Sequence, residues 1–564
     1  MKKQGFLRGS AILLAMVFVT KAIGLAYKIP LTHMLGGSGM AYYSGTFAVF
    51  SPLLAAVVSG ISASVARLTA ESYAFERYAQ LKKVHRTALI VYSLEGLAAA
   101  LLFVLLSLPL AKSFLHESSA AWALCAVAPT VLFSAVLSVM RGYYEGLHNM
   151  LPTARSEIIE TVIKAVLGLA AAYSVLFYAR REFARSHGCF GSFYRTEEDA
   201  LSAALPYAAA GAILAGSLAT GFAALYIAIS GRRHSDAITP AQLAADRKTD
   251  STAHIVKSLF SYSLPMAGAA VITTLTGTID LLTVSQGVRK ALSAGMVTEI
   301  SVSADKLPDF MYGSYTGLAL MVSGLIPTFT AMFGKSSVPA LTEAYAQGDR
   351  RALSEQVRAM LKVTALTAFP FATLICTLPR ELLSFLFAGR TDEIVAAALP
   401  LGVLGIACVF SSFALPCIAA LQTLGCRAAP IALMLLSAGV KLAGDLLLIP
   451  LPQLGLTGAA IAAVAAQGVI AFPAVVLLLR RTDTPPDISA FVKPLFASLL
   501  AACAAFTLNS ALGRLPLPLL QGRISFLAVT AFGAAVYFSA LWLMDALPKA
   551  AIRKYFFKKF RKTY

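Results

Sequence analysis

The chain has 564 residues, of which 58% are hydrophobic and only 13% charged, with a mean hydropathy of +0.74. Soluble domains carry about 25% charged residues, so this composition excludes a soluble globular protein and predicts an integral membrane one. The formal charge of +19 is read as membrane topology before anything else, and no nucleic-acid partner is expected.

Apolar runs long enough to span a bilayer begin near Gly9, Ala41, Thr87, Ala120, Ile158, Leu205, Leu259, Phe310, Val363, Ala396, Ile431, Gly458, Leu495 and Phe526, about fourteen transmembrane helices in an all-α polytopic protein. With the N-terminus inside, the inner segments hold 31 lysines and arginines against 12 in the outer segments. The positive-inside rule then places both termini in the cytoplasm of a bacterial cytoplasmic-membrane protein. Gly24-Leu25-Ala26 imitates a signal-peptide cleavage site after Lys2, Lys3 and Arg8, but Lys21 inside the apolar run argues against cleavage.

The first span carries Lys21 and Lys28, seven residues apart and so on one helix face, roughly 10 Å apart along the axis. A lysine at mid-bilayer costs about 2.5–3.5 kcal/mol and usually faces a bundle interior or a wet cavity. Lys21 lies roughly 18 Å in from Gly9 at 1.5 Å per residue, out of easy snorkelling reach. Lys28 is nearer the far interface, where snorkelling and function are equally good readings. The pair marks an anion site within the membrane, with Arg67 near the cytoplasmic mouth as a third cation.

Further along, Glu95 in the third span and Asp280 in the seventh have no local counter-charge and are candidates for coupling to Na⁺ or H⁺. Glu160 and Lys164, and again Lys441 and Asp445, are four residues apart and can neutralise each other as structural ion pairs. The outer loop Tyr178 to Leu201, with four arginines and Cys189, is read as a solvated loop. The tail holding Arg553, Lys554, Lys558, Lys559, Arg561 and Lys562, interleaved with aromatic residues, predicts a helix lying on anionic lipid. The seven cysteines, mostly in apolar runs without C-x-x-C spacing, indicate buried thiols rather than a zinc site or disulfides. No metal site and no cofactor are expected.

An internal repeat organises these runs. Val65-Ala-Arg-Leu68-Thr69 follows the second span and Val338-Pro-Ala-Leu341-Thr342 the eighth, 273 positions apart. Pro152 and Pro430 each precede a span containing a lysine, Lys164 or Lys441, at nearly the same offset. Six spans therefore repeat in parallel. The expected lobes are residues 1–235 and 258–482, joined by a cytoplasmic linker at 236–257, followed by two more spans at 483–545 and a basic tail at 546–564.

The same residues resemble a known group. The pieces are Thr20-Lys21-Ala-Ile-Gly24-Leu-Ala-Tyr27-Lys28, Gly60-Ile61 leading to Ala66-Arg67-Leu68, and Arg141-Gly142-Tyr143-Tyr144-Glu145-Gly146-Leu147 through Pro152-Thr153-Ala154 and Glu160. Ile279-Asp280, Tyr312-Gly313, Gly317, Pro327 and Val338-Pro339-Ala-Leu341-Thr342-Glu343 continue the pattern. In this order they resemble the multidrug/oligosaccharidyl-lipid/polysaccharide (MOP) flippase superfamily, in its stage V sporulation protein B branch.

The resemblance implies a flippase moving undecaprenyl-pyrophosphate-linked saccharide, a peptidoglycan or polysaccharide precursor, by alternating access about a cavity lined by spans 1, 2, 7 and 8. Related lipid II flippases usually have arginines where Lys21 and Lys28 stand, so point charges replace a bidentate grip. A cation-coupled multidrug antiporter shares the architecture but would be expected to place carboxylates on this face of the first span. A membrane enzyme of polysaccharide assembly is the remaining alternative; D-x-D, G-x-x-x-x-G-K-[ST] and H-E-x-x-H are all absent from the sequence, so no catalytic residues are assigned.

Overall fold

The structure is a computed structural model that describes residues 6–115, 117–147, 149–233, 249–426, 428–513 and 523–546. The basic tail and most of the linker lie outside the described residues. The helices are α1 (Phe6–Val58), α2 (Ile61–Ala74), α3 (Tyr78–Leu110), α4 (Ala121–Val127), α5 (Pro129–Gly146), α6 (Leu151–Ser186), α7 (Glu197–Arg233), α8 (Thr252–Ser293), α9 (Leu307–Ser314), α10 (Leu320–Ser323) and α11 (Leu325–Ala346). They continue with α12 (Arg350–Thr377), α13 (Pro379–Leu386), α14 (Thr391–Thr423), α15 (Ala428–Leu448), α16 (Leu456–Arg481), α17 (Ile488–Gly513) and α18 (Arg523–Leu543). The only strands among the described residues are β1 (Gly188–Cys189) and β2 (Ser192–Phe193), an antiparallel hairpin between α6 and α7 that the all-helical expectation missed.

Among the described residues twelve helices are long and apolar enough to cross a membrane, or thirteen when Leu307–Ser323 and Leu325–Gly334, bent by 40°, count as one span. The first candidate, Phe18–Ala74, has 57 residues, about 85 Å of helix against a hydrocarbon core of ~30 Å. Gly36 divides it with φ 62° and ψ −172°, a conformation that favours glycine. Divided at Gly36, this candidate is long enough for one crossing on each arm, where the sequence reading expected two of its about fourteen spans.

Contacts group the chain into two compact units, residues 1–289 with 302–317, and residues 290–301 with 318–564. Most of α8, together with α9, therefore packs with the N-terminal helices, so the contact grouping does not follow the repeat boundaries.

In the first unit one core gathers Tyr27, Leu31, Phe50, Phe103, Leu124 and Ile213. A second, at the level of α2, gathers Ile61, Val65, Tyr92, Tyr143 and Leu259. The second unit has its main core around Leu341, Phe369, Phe413, Leu421 and Leu478. There Tyr537 of α18 donates a hydrogen bond to the Leu366 carbonyl of α12 at 2.8 Å, beside an apolar cleft of about 450 Å³.

Small residues set the closest helix crossings, as expected where lipid supplies no hydrophobic drive between helices. Gly142 and Gly146, four apart on α5, face α2. A Cβ on Gly142 would overlap the Ser62 carbonyl oxygen, and one on Gly146 would lie 2.6 Å from the Ala66 carbonyl oxygen. Ser62 Oγ then donates to Glu145 Oε2 across the same crossing at 3.0 Å. The glycines of the Arg141–Gly146 motif are thus explained by packing.

The linker's C-terminal end is clamped to the start of α3. Arg77 Nη2 and Gln80 Nε2 each donate to the Asp250 carboxylate at 2.9 Å, Lys83 Nζ donates to its carbonyl at 2.6 Å, and the Asp250 amide donates to Gln80 Oε1 at 2.8 Å.

The α2–α5 crossing makes a direct prediction. Gly142→Ala and Gly146→Ala should each lower stability by about 1–3 kcal/mol through overpacking, whereas Gly268→Ala, a helical position with nothing within 4 Å of the added Cβ, should not. Thermal unfolding in detergent micelles compares the three, and equal melting temperatures would refute the close crossing.

Candidate functional site

Within the first unit a cavity of about 570 Å³ is lined by Gly24, Tyr27 and Lys28 on one arm of α1, by Tyr43, Ser44 and Phe47 beyond the Gly36 break, and by Glu160, Thr161 and Lys164 of α6, with Thr316 closing it. Helical periodicity puts 24 and 28, 43 and 47, and 160 and 164 each on one stripe. The break at Gly36 lets both arms of α1 contribute a wall.

The charges in this cavity are not paired as the spacing suggested. Glu160 turns away from Lys164: its Oε2 accepts from Arg141 Nη2 at 2.9 Å and its Oε1 from Thr220 Oγ1 at 2.8 Å. Arg141 is itself fixed by donating from Nε to Ser156 Oγ at 2.9 Å, with Glu157 at 3.9 Å. A guanidinium fork satisfies a carboxylate in a planar geometry that a lysine on the same helix cannot match. The expected Glu160–Lys164 pair is therefore replaced by an interhelical one.

Lys164 instead lies with its Nζ 5.4 Å from the centre of the Phe47 ring, an aromatic contact that partly compensates an unpaired cation. It is close enough to Lys28 for the two to repel. Among the described residues neither lysine has a carboxylate within ion-pair distance. The buried Tyr27 hydroxyl is set against Gly168 and lies beside the Tyr43 hydroxyl. Two ammonium groups without a carboxylate partner, beside two tyrosine hydroxyls, give this cavity a cationic lining.

The remaining sequence candidates are dispersed. Lys21 is exposed and lies one turn before Gly24 on the cavity stripe, outside the lining residues. Arg67 is exposed and stacks over the Tyr262 ring at 4.1 Å. Glu95 is half-buried and its Oε2 has no hydrogen-bond partner. Asp280 is buried beside Tyr312.

In the second unit Lys441 donates to both oxygens of Asp445 at 2.6 and 2.7 Å, and both side chains are almost wholly buried. The cysteines are free and no cluster of potential metal ligands occurs among the described residues. Sequence reasoning gave Arg141 and Thr220 no role; the available signal was Arg141 next to the Gly142–Gly146 packing motif, which fixes the direction its side chain takes.

A many-spanning helical bundle with a polar cavity among its helices defines a polytopic membrane protein. Residues 6–184 match the family described as "Polysaccharide biosynthesis protein". Stage V sporulation protein B of Bacillus subtilis (strain 168) is 26% identical over 468 residues, 82% of each chain, and the lipid II flippase MurJ of the same strain is 22% identical over 405 residues, 68% of this chain and 66% of that one.

Among solved structures, lipid II flippase MurJ in an inward closed conformation superposes with a TM-score of 0.64 at 15% identity, covering 95% of this chain and 99% of that one. An inward-facing multidrug resistance MATE family transporter of the MOP superfamily gives 0.61 at 14% identity, over 84% and 98%. The resemblance to the MOP flippases read from the sequence is borne out, and this is a multi-pass membrane protein whose relatives are flippases and transporters, not enzymes.

The Lys441–Asp445 pair carries a prediction. Asp445→Leu alone should destabilise the protein by about 3–5 kcal/mol by stranding a buried ammonium, and the double change Lys441→Met with Asp445→Leu should recover most of that loss. Thermal melts of the single and double variants measure it; a double variant no better than the single would refute the pair as an isolated structural element.

Proposed function

We propose that this protein translocates an undecaprenyl-pyrophosphate-linked saccharide, a peptidoglycan or polysaccharide precursor, across the bacterial cytoplasmic membrane by alternating access. The observation that carries the reading is the cavity's charge: Lys28 and Lys164 face one space while Glu160, its only lining carboxylate, is held by Arg141 and Thr220. Pyrophosphate offers several acceptor oxygens on adjacent phosphorus atoms, and two ammonium groups from separate helices can grip it from two sides. The relative named lipid II flippase supports the same direction.

In this scheme Lys28 and Lys164 are the principal anchors. Lys21, one turn along the cavity stripe, meets the anion at the cavity mouth, and Arg67 waits at the cytoplasmic end. Both termini are cytoplasmic and the repeated halves are residues 1–235 and 258–482. The cationic cavity disfavours a multidrug cation as cargo.

Glu95, with an unpartnered buried oxygen, and Asp280 are the groups proposed to exchange H⁺ or Na⁺ during the return step.

Fluorescent undecaprenyl-pyrophosphate saccharide translocation in proteoliposomes tests the reading. Lys28→Ala and Lys164→Ala should each lower the rate at limiting substrate by roughly tenfold to a hundredfold, the equivalent of the ~1.5–3 kcal/mol of a hydrogen bond to a charged group. Lys21→Ala should have the smaller effect. Wild-type protein that moves no lipid-linked saccharide but exchanges organic cations for H⁺ or Na⁺ would overturn the proposal in favour of an antiporter.

Glu95→Gln at matched insertion should slow turnover and flatten its dependence on an imposed ion gradient. Unchanged gradient dependence would remove Glu95 from coupling.

A further inference from the structure

The hairpin between α6 and α7 is absorbed neither by the cavity nor by the helix packing, and its geometry is specific. α6 continues to Ser186, eight residues past Tyr178, where the apolar run of the span ends. The hairpin does not project beyond this extension but folds back along it. Phe190, at its turn, packs on Tyr178 at 6.1 Å and on Tyr207 of α7 at 4.7 Å between ring centres. That return covers about 12 Å of helix and brings the turn to the level where the spans of α6 and α7 begin to be apolar.

The fold-back is built into the chain. The Phe190 amide donates to Glu182 Oε2 at 3.3 Å, and Gly188 pairs with Phe193 and Cys189 with Ser192 across the two strands. Cys189, in the pair next to the turn, is buried with Ala179, Ala200 and Ala204, which pins the turn end of the hairpin against the two helices. Gly191, at φ 83°, makes the turn. Tyr207 in turn lies 6.5 Å from Trp122 of α4, so four aromatic rings form a continuous row across three helices and the hairpin turn.

The row is open on its outer side. Phe193 is 85% exposed, a large cost for a phenylalanine in water, and Trp122 and Tyr178 are also exposed. Below Tyr178 on α6, Tyr173 and Phe177 are exposed on the flank of a membrane-spanning segment and stack on each other. Above the row, Arg181, Arg185 and Arg195 are exposed, beside the exposed Glu197, Glu198 and Asp199 of the first turn of α7, of which Glu197 pairs with Arg180. Apolar rings below, amphipathic rings at mid-height and cations above reproduce the polarity profile of a lipid interface from acyl chain to phosphate.

We propose that the 188–193 hairpin is an interfacial wedge. Its turn and Phe193 sit in the headgroup region of the leaflet on the α6–α7 side, the outer leaflet in the orientation predicted by the charge distribution. The arginines above it engage lipid phosphates. The partner is the lipid surface itself, and the assignment does not depend on which molecule the cavity carries.

The test uses full-length protein carrying Phe193→Trp with Trp122→Phe and Trp542→Phe, reconstituted in phosphatidylethanolamine–phosphatidylglycerol vesicles whose acyl chains are brominated. The introduced indole should emit at a blue-shifted maximum, lose intensity to brominated lipid, and be shielded from iodide in the water. The single change Trp542→Phe, which leaves native Trp122 as the sole indole, provides a second reporter in an otherwise unaltered hairpin and should respond in the same sense. Emission quenched by iodide and indifferent to brominated chains in both proteins would overturn the wedge. A spectral change of the introduced indole on adding soluble chitotetraose, with no response to brominated lipid, would also overturn it and mark the row as a sugar platform.

Discussion

The pairing of Arg141 with Glu160 decides the charge of the cavity, and much of the molecule's chemistry follows from it. Inside a membrane an isolated charge is costly and a neutralised pair is not. Had Glu160 closed on Lys164, four residues along the same helix, the cavity would hold a single ammonium. Because a guanidinium from α5 and the Thr220 hydroxyl from α7 take both carboxylate oxygens, Lys164 is left to face Lys28. The second unit shows the opposite outcome for the same spacing: Lys441 and Asp445 close on each other, are sealed from solvent and leave nothing to bind.

That pairing depends in turn on backbone packing. Arg141 precedes Gly142, and successive residues on a helix point about 100° apart. With Gly142 and Gly146 pressed against α2, the rotation of α5 is fixed and Arg141 is directed to α6. The glycine motif and the electrostatics of the site are one arrangement, since a looser α2–α5 crossing would leave the guanidinium's direction undetermined. The Gly36 break has a comparable role, turning what would be one over-long rod into two walls of the same cavity.

Much of this was legible in the sequence, for identifiable reasons. Apolar runs and basic loops gave the span count because a bilayer imposes length and charge rules on any chain that crosses it. The importance of a first-span lysine was visible because a cation there needs a reason. Which lysine lines the cavity was not: depth along the helix pointed to Lys21, whereas the cavity is set by which turn of α1 meets α6, and that turn carries Lys28. The Glu160 partner was missed because local spacing sees only its own helix, while Arg141 arrives from another. The hairpin escaped because two-residue strands have no periodicity to read.

The clamp on Asp250 has a consequence for how the helices can move. Four hydrogen bonds tie the start of α3 to Asp250, two residues before α8, so α8 begins its course at a point set by the N-terminal helices. A shift of the start of α3 is therefore passed directly to the start of α8, so that at this end the two helices move as one joint.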